Sequence, residues 1–399
     1  MPHLKKLLFF LINMNLGGTE KSFLNLLSEI PNNYDIDLLL LENNGELLKE
    51  IPSNITVRVI ENNVLINEFL KYGNRQFALR ELKRGNYYSF LKNIIVFFLY
   101  KIKWLSHPYY GISHYVINQT PSYDNAVAFA GIHNFIAYYT LKSITARKKV
   151  LWIHFDVNKV ISDVRFGKKF YSLFNQIVCV SENARLNFIK MFPRSEAKTI
   201  VFQNKVSKEL LHQKSQLPES FSDRCEGIRL LTLGRLSEEK GQNMIPNVVA
   251  RLKEDGFKFR WYLIGEGKLR SSIKKNIMDL GLTDNLILLG SRLNPYPYLK
   301  DCDLYVQTSL HEGYCITLHE AKIFNKPVVT TNFLSASNLI QNEKDGLIVE
   351  ITENGIYEGV KRLLSDEKLR RKFSFSTLLQ DNITEKWESI FIENQTNTI

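Results

Sequence analysis

The chain has little cysteine, and none of it is paired in sequence. Cys179, Cys225, Cys302 and Cys315 are widely spaced and form no C-x-x-C motif, which argues against a disulfide framework and fits reduced thiols in the cytosol. Long apolar runs are missing too. The most apolar region has its longest uncharged run at Asn93–Tyr100, far short of the roughly 20 residues a membrane-crossing helix needs. The N-terminus, MPHLKKLLFFLINMNLGG, has the basic start of a signal peptide, but its apolar run LLFFLI is only six residues long and no small-x-small cleavage site follows. A buried first strand ending in a glycine turn is the better reading. That turn, L-G-G-T-E-K, lacks the third glycine of G-x-G-x-x-G, which argues against a nicotinamide dehydrogenase. No internal repeat and no low-complexity tract is present.

At 399 residues with 44% hydrophobic content, the chain suits two domains of about 200 residues, each with a sizeable core. A formal charge of +11 and a pI near 9.2 call for an anionic partner: nucleic acid, a membrane surface or phosphorylated substrates. Much of the excess lies in 68–105, where Lys71, Arg75, Arg80, Lys83, Arg84, Lys92, Lys101 and Lys103 face only Glu68 and Glu81. Within it, NYYSFLKNIIVFFLYKIKWL (86–105) interleaves aromatic and aliphatic residues with lysine. Two readings are open: an interfacial helix with snorkelling lysines, or a helix packed on its own domain with lysine outside.

Short apolar runs alternate with helix-period segments in both halves, the pattern of βαβ units and parallel sheets. The first half offers six strands, KLLFFLI (6–12), YDIDLLLL (34–41), ITVRVI (55–60), NAVAFA (125–130), KVLWIHF (149–155) and QIVCVS (176–181). The second half restarts with IRLLTLG (228–234), FRWYLIG (259–265), NLILLG (285–290), DLYVQTS (303–309), KPVVTTN (326–332) and GLIVEI (346–351). We therefore expect one sheet domain over 1–203, a polar linker over 204–227 and a second sheet domain over 228–375. A C-terminal helical segment, 376–399, carries Trp387 and Phe391 on one face and is expected to cross back to the first domain. Ligands of parallel sheets bind beyond the carboxyl ends of the strands, so residues just after strands should carry the chemistry.

One stretch there, SLHEGYCITLHEA (309–321), has the outline of a zinc helix at His311-Glu312-Gly313-Tyr314-Cys315. The outline fails, because Gly313 is a poor helix interior and no further ligand is spaced to complete a tetrahedral set. A charged helix explains Glu320 but neither the glycine nor the apolar residues around it. Elsewhere, Gly17-Gly18 precede a helix and form a possible anion site. In TLGRLSEEKG, after the first strand of the second half, Gly234 leads to Arg235 and Lys240. Two cations at a helix start oppose its dipole unless an anion lies between them; alternatively they pair with Glu238 and Glu239. In LIGEGK, Glu266 lies at the rim of another post-strand turn. The triplets Asp35-Ile36-Asp37 and Asp301-Cys302-Asp303 precede strands and read as turn and strand-entry residues.

Taken together, EGYCITLHE with the flanking DLYVQTS and AKIFNKPVVTTN resembles the E-x7-E signature of retaining glycosyltransferases of family 4. GGTEKSFLNLL, WIHFD, VCVSENAR, GRLSEEKG, LIGEGKLR and KDGLIV follow in the family's order along nearly the whole chain. The resemblance implies the GT-B fold, α/β with two Rossmann-like parallel-sheet domains facing a central cleft. It also implies that Arg235 and Lys240 bind the donor diphosphate and stabilise its departure, and that Glu320 accepts from the donor ribose. Glu312 would face the donor sugar, with the amides of Gly313, Tyr314 and Cys315 beside it. By the same resemblance His154 is an active-site histidine and Gly17 and Gly18 close on phosphate, with Gly234 and Glu266 on the donor side and Asp156 and Glu20 as neighbours. Tyr314-Cys315 and NFLSASNLI depart from the family's commoner residues at donor-side positions, which leaves the sugar open. No metal or other cofactor is expected. The implied reaction moves a sugar from a UDP- or GDP-sugar to an acceptor hydroxyl with retained configuration. The basic, aromatic 86–105 region adds a lipid-linked acceptor at the cytoplasmic membrane face, as in surface-polysaccharide assembly. Alternatives are a GT-B sugar-nucleotide epimerase and, from another class, a basic nucleic-acid-binding protein, for which no recognition motif is present.

Overall fold

The computed structural model describes residues 5–31, 33–116, 121–129, 134–154, 157, 164–203, 206–312, 314–375 and 387–391. The chain forms two compact units, one of 1–15, 19–203 and 385–399, the other of 16–18 and 204–384.

The first unit is built on an all-parallel sheet in the order β3-β2-β1-β4-β5-β6-β7. Its strands are β1 (Lys5–Leu11), β2 (Tyr34–Leu40), β3 (Thr56–Val59), β4 (Tyr123–Ala128), β5 (Ala146–Ile153), β6 (Gln176–Cys179) and β7 (Thr199–Val201). The central β1 is paired on both edges, and Leu7–Phe10 are fully buried, which is why it reads as one continuous apolar run. Six of these strands are the predicted ones. The seventh, β7, is a three-residue edge strand, too short for any pattern to mark. Three helices matter below: α1 (Gly18–Glu29), α2 (Asn63–Lys83) and α3 (Tyr87–Lys101). Asp35 and Asp37 lie inside β2 rather than before it, and Asp37 accepts from Tyr123 Oη at 2.6 Å and Arg58 Nε at 3.0 Å. Phe391 packs edge-on against Phe9, with ring centroids 5.9 Å apart, and Trp387 against Tyr34 at 5.2 Å. The Ile390 and Phe391 carbonyls accept from Lys148 Nζ at 2.6 Å and Asn125 Nδ2 at 3.4 Å.

The second unit repeats the plan with all six predicted strands, again parallel, in the order β10-β9-β8-β11-β12-β13. They are β8 (Ile228–Leu233), β9 (Phe259–Ile264), β10 (Leu286–Gly290), β11 (Leu304–Gln307), β12 (Val328–Thr331) and β13 (Leu347–Val349). The segment read as a linker contains the helix Lys208–Lys214, capped by Ser207 Oγ accepting from Leu210 N–H at 3.2 Å. Leu211 and Phe221 of that segment join the core around Tyr262 and Tyr298. In this sheet the strand order reverses between β8 and β11, so the loops after those two strands flank a topological switch point.

Candidate functional site

Backbone geometry at the carboxyl ends of β8, β9 and β11 depends on glycine. Gly234 N–H donates to Ile264 O at 3.0 Å, and Leu236 N–H to Glu266 O at 2.9 Å, stitching the loop after β8 to the loop after β9. A Cβ on Gly265 would lie 2.0 Å from Gly234 O, and one on Gly241 would lie 2.1 Å from Thr308 O. Only glycine permits both approaches, and Gly241 also takes a φ of 66°. Thr308 Oγ1 donates to Lys240 O at 2.8 Å and Leu310 N–H to Glu239 O at 2.9 Å, locking the loop after β8 to the loop after β11.

These locks bring Lys240 and Glu312 together across the switch point, with Nζ 2.6 Å from Oε1. The alternative of a local pairing with Glu238 or Glu239 is thereby corrected for Lys240. The Ile245–Glu254 helix begins five residues after Lys240, which itself ends the single turn Glu238–Lys240, so helix-dipole repulsion is not what this lysine meets. Burial pulls the Lys240 ammonium down, but the Glu312 carboxylate beside it more than offsets this and holds it above its ordinary value. Arg235 is exposed; burial raises the Glu239 carboxyl, but the Ser237 hydroxyl and the charges of Arg235 and Lys240 bring it below its ordinary value.

Glu312 is held by more than lysine. Ser309 Oγ donates to Oε1 at 2.6 Å and Gln307 Nε2 at 3.2 Å, so the three donors named here converge on one oxygen of the carboxylate. Gln307 is itself fixed, accepting on Oε1 from Tyr305 Oη at 2.6 Å and Thr317 Oγ1 at 3.2 Å and donating to Ser309 Oγ at 2.6 Å. None of Tyr305, Gln307, Ser309 and Thr317 was singled out from sequence. Q-T-S closes an otherwise apolar strand, and all three of its residues are buried.

Of the other predicted residues, Cys315 lies close enough to Lys240 and Glu312 to interact electrostatically with both. Glu320 is 1% exposed and accepts from Tyr296 Oη at 2.9 Å. Glu266 is exposed and paired with Arg270 at 2.7 Å, next to Gly290. Tyr314 is buried, its ring stacked on His319 with centroids 4.4 Å apart, and its hydroxyl has no hydrogen-bond partner among the described residues. Cys315 precedes the Ile316–Ile323 helix with a φ of 54°, and burial raises its thiol well above the ordinary range, so it is no thiolate nucleophile. Gly313 and Asp156 lie outside the described residues. Gly18 opens α1, with Gly17 just before it and Glu20 in its first turn.

In the first unit, His154 follows β5, buried against Phe129 and Trp152 at ring distances of 4.6 and 6.2 Å. Burial pushes its imidazole down to about 3, so it is neutral at physiological pH. A groove of about 540 Å³ opens near the carboxyl ends of β1 and β2, lined by Ile12, Glu42, Glu68, Lys71, Arg80 and Arg84 among others. Among the described residues no group of three His, Cys, Asp or Glu is placed to hold a metal ion.

Comparison with known proteins adds a class to this geometry. Residues 215–377 match the family described as glycosyl transferases group 1. Over 189 residues the chain is 30% identical to the N-acetylgalactosamine-N,N'-diacetylbacillosaminyl-diphospho-undecaprenol 4-alpha-N-acetylgalactosaminyltransferase of Campylobacter jejuni subsp. jejuni serotype O:2, covering 47% of this chain and 50% of that protein. Over 108 residues it is 30% identical to the UDP-Gal:alpha-D-GlcNAc-diphosphoundecaprenol alpha-1,3-galactosyltransferase of Escherichia coli, covering 27% of this chain and 28% of that protein. The chain thus spans half the length, or less, of these curated relatives. Anabaena Alr3699/HepE, solved in complex with UDP and glucose, matches with a TM-score of 0.68 at 16% identity, over 94% of this chain and 93% of that one. The fold is therefore of the GT-B class, two Rossmann-like parallel-sheet domains, as the sequence motifs imply.

Proposed function

We propose that this protein is a retaining glycosyltransferase of family 4. It moves a sugar from a UDP- or GDP-sugar to a hydroxyl of a lipid-linked glycan during surface-polysaccharide synthesis, at the cytoplasmic face of the membrane. The observation that carries this reading is the Lys240–Glu312 ion pair across the β8/β11 switch point, beside exposed Arg235. Lys240 and Arg235 supply two cations where the donor diphosphate would sit, and they stabilise the charge that develops as it leaves. Glu312 receives the three hydrogen bonds named above on Oε1, and Oε2 is assigned to accept from a donor-sugar hydroxyl. Glu320, held by Tyr296, is assigned to the ribose, and the amides around Gly313, Tyr314 and Cys315 to the sugar. Gly17, Gly18, Gly234 and Glu266 complete the donor side in this reading. Attack comes from the same face, and the leaving phosphate oxygen takes the acceptor proton. His154, neutral at pH 7, serves as a hydrogen-bonding group near the sugar rather than as a general acid. No metal and no cofactor takes part. The named substrates of the Campylobacter and Escherichia relatives, both diphospho-undecaprenol glycans, support the lipid-linked acceptor.

A panel of UDP- and GDP-sugars, with mass spectrometry of the products, tests this. Wild type should hydrolyse one donor slowly, and Arg235→Ala and Lys240→Ala should each lower turnover by about 10²–10³. Unchanged turnover in both variants sinks the assignment, and an epimerised nucleotide sugar without transfer would make the protein an epimerase.

A further inference from the structure

Helix α3 is packed inside out. Its buried positions are Ser89, Asn93 and Val96, while Tyr87, Tyr88, Leu91, Ile95 and Phe98 are exposed. Beyond its end, Ile102 and Trp104 are 67% and 77% exposed. Positions 88, 91, 95, 98 and 102 follow one another at alternating steps of three and four, so they form a single stripe. The buried polar face is bolted down by amides. Asn93 Nδ2 donates to Ser89 O at 2.9 Å and Gly111 O at 3.2 Å, and Asn93 Oδ1 accepts from Asn74 Nδ2 at 3.1 Å. Asn74 also donates to Pro108 O at 3.1 Å, and a Cβ on Gly111 would strike Asn93 Oδ1 at 2.1 Å. Satisfied buried amides fix the rotation of the helix, so the apolar stripe cannot turn inward without breaking them.

We propose that this stripe is a docking surface for a bilayer that carries anionic lipid. Charge selects the occupant: no Asp or Glu occurs between Glu81 and Asp124, while Lys83, Lys101 and Lys103 are exposed around the stripe. A second copy would bring like charges together, whereas anionic headgroups meet the lysines and acyl chains meet the stripe. Among the described residues no helix is long and apolar enough to cross a membrane, so α3 lies along the surface. The proposal stands independently of sugar transfer.

Trp104 provides the readout, because the other three tryptophans, Trp152, Trp261 and Trp387, are buried. Vesicles of phosphatidylcholine with about a third phosphatidylglycerol should float the protein and shift its tryptophan emission to the blue, with binding weakened at least about tenfold in pure phosphatidylcholine. Trp104→Phe should lose the shift but still float. The triple variant Leu91→Gln, Ile95→Gln, Phe98→Gln should bind these vesicles at least about tenfold less with an unchanged melting temperature, since all three side chains are exposed. Absence of flotation, or full flotation of the triple variant, overturns the proposal. So does a wild-type dimer in buffer that the triple variant dissolves, which would name a second copy as the occupant.

A separate observation, the convergence on Glu312 Oε1, carries a second inference: the structure assigns Gln307 and Ser309 as positioning residues for Glu312. This rests on the reading of Glu312 as the donor-sugar contact. The carboxylate only accepts, so the Gln307 NH2 must face it, and Ser309 accepts from Gln307 while donating to Glu312. Fixing Oε1 fixes the plane of the carboxylate and so the direction of Oε2. Ser309→Ala should weaken binding of the preferred nucleotide sugar about tenfold or more while leaving the parent UDP or GDP within twofold, and Ser309→Thr should restore it. Equal loss for nucleotide and nucleotide sugar, or no loss, overturns the positioning role. Wild type that binds the nucleotide sugar no better than the nucleotide overturns the reading of Glu312 itself.

Discussion

Lys240 and Glu312 are 72 positions apart, and neither announces the other in sequence. The motif resemblance singled out each residue, but spacing alone left Lys240 an equally good local partner in Glu238 or Glu239. What decides is that Thr308 and Leu310 bond to the Lys240 and Glu239 carbonyls, which fixes the lysine over β11. Both side chains are largely buried, 24% and 10% exposed, so removing one leaves the other poorly compensated. Lys240→Met should cost about 3–5 kcal/mol of the second unit's stability in urea unfolding, and adding Glu312→Met should recover part of that loss. A loss in the double variant equal to the sum of the singles would show that the pair is not coupled. Gln307 and Ser309 stayed illegible for another reason: polar residues in a buried strand announce a network only once their partners are known.

At the scale of elements, the parallel strands were legible because burial on both faces writes long apolar runs, and only the short β7 escaped. The contacts between their end loops were not. Gly265 and Gly281 look alike in sequence, yet a Cβ on Gly265 meets Gly234 O at 2.0 Å while Gly281 has open space around it. Both have positive φ, so both alanine variants carry a backbone penalty. Thermal melts should show about 1–2 kcal/mol for Gly281→Ala and at least about 2 kcal/mol more for Gly265→Ala, which adds a backbone clash. Helix α3 was the element on which composition left two readings. Its stripe of Tyr88, Leu91, Ile95 and Phe98 is exposed, because the amides of Asn74 and Asn93 claim the inside.

For the molecule as a whole, buried imidazoles set an acid limit, His107, His154 and His319 among them. Burial pushes His107 and His154 down to about 3 from an ordinary 6.5, with Lys169 and Lys142 adding to the effect at His107. The unfolded chain therefore binds protons that the folded chain refuses, so stability from these groups is full above pH 6.5 and falls as pH drops from 6.5 toward 3. Each contributes about 1.4 kcal/mol per pH unit over that window. Unfolding of His107→Phe and wild type at pH 5 and 7 should show a shallower acid loss in the variant. The C-terminal residues matter at the same scale: Phe391 is 2% exposed against Phe9, so Phe391→Ala should cost the first unit about 3–5 kcal/mol.

Local sequence determined the strands, the glycine turns that end them and the identity of the charged residues after them, because periodicity and backbone freedom are properties of neighbours along the chain. The tertiary structure alone decided that Lys240 meets Glu312, that three donors converge on one carboxylate oxygen, and that α3 turns its apolar face outward. Each of those depends on hydrogen bonds between residues distant in sequence, whose geometry exists only after the sheets have formed.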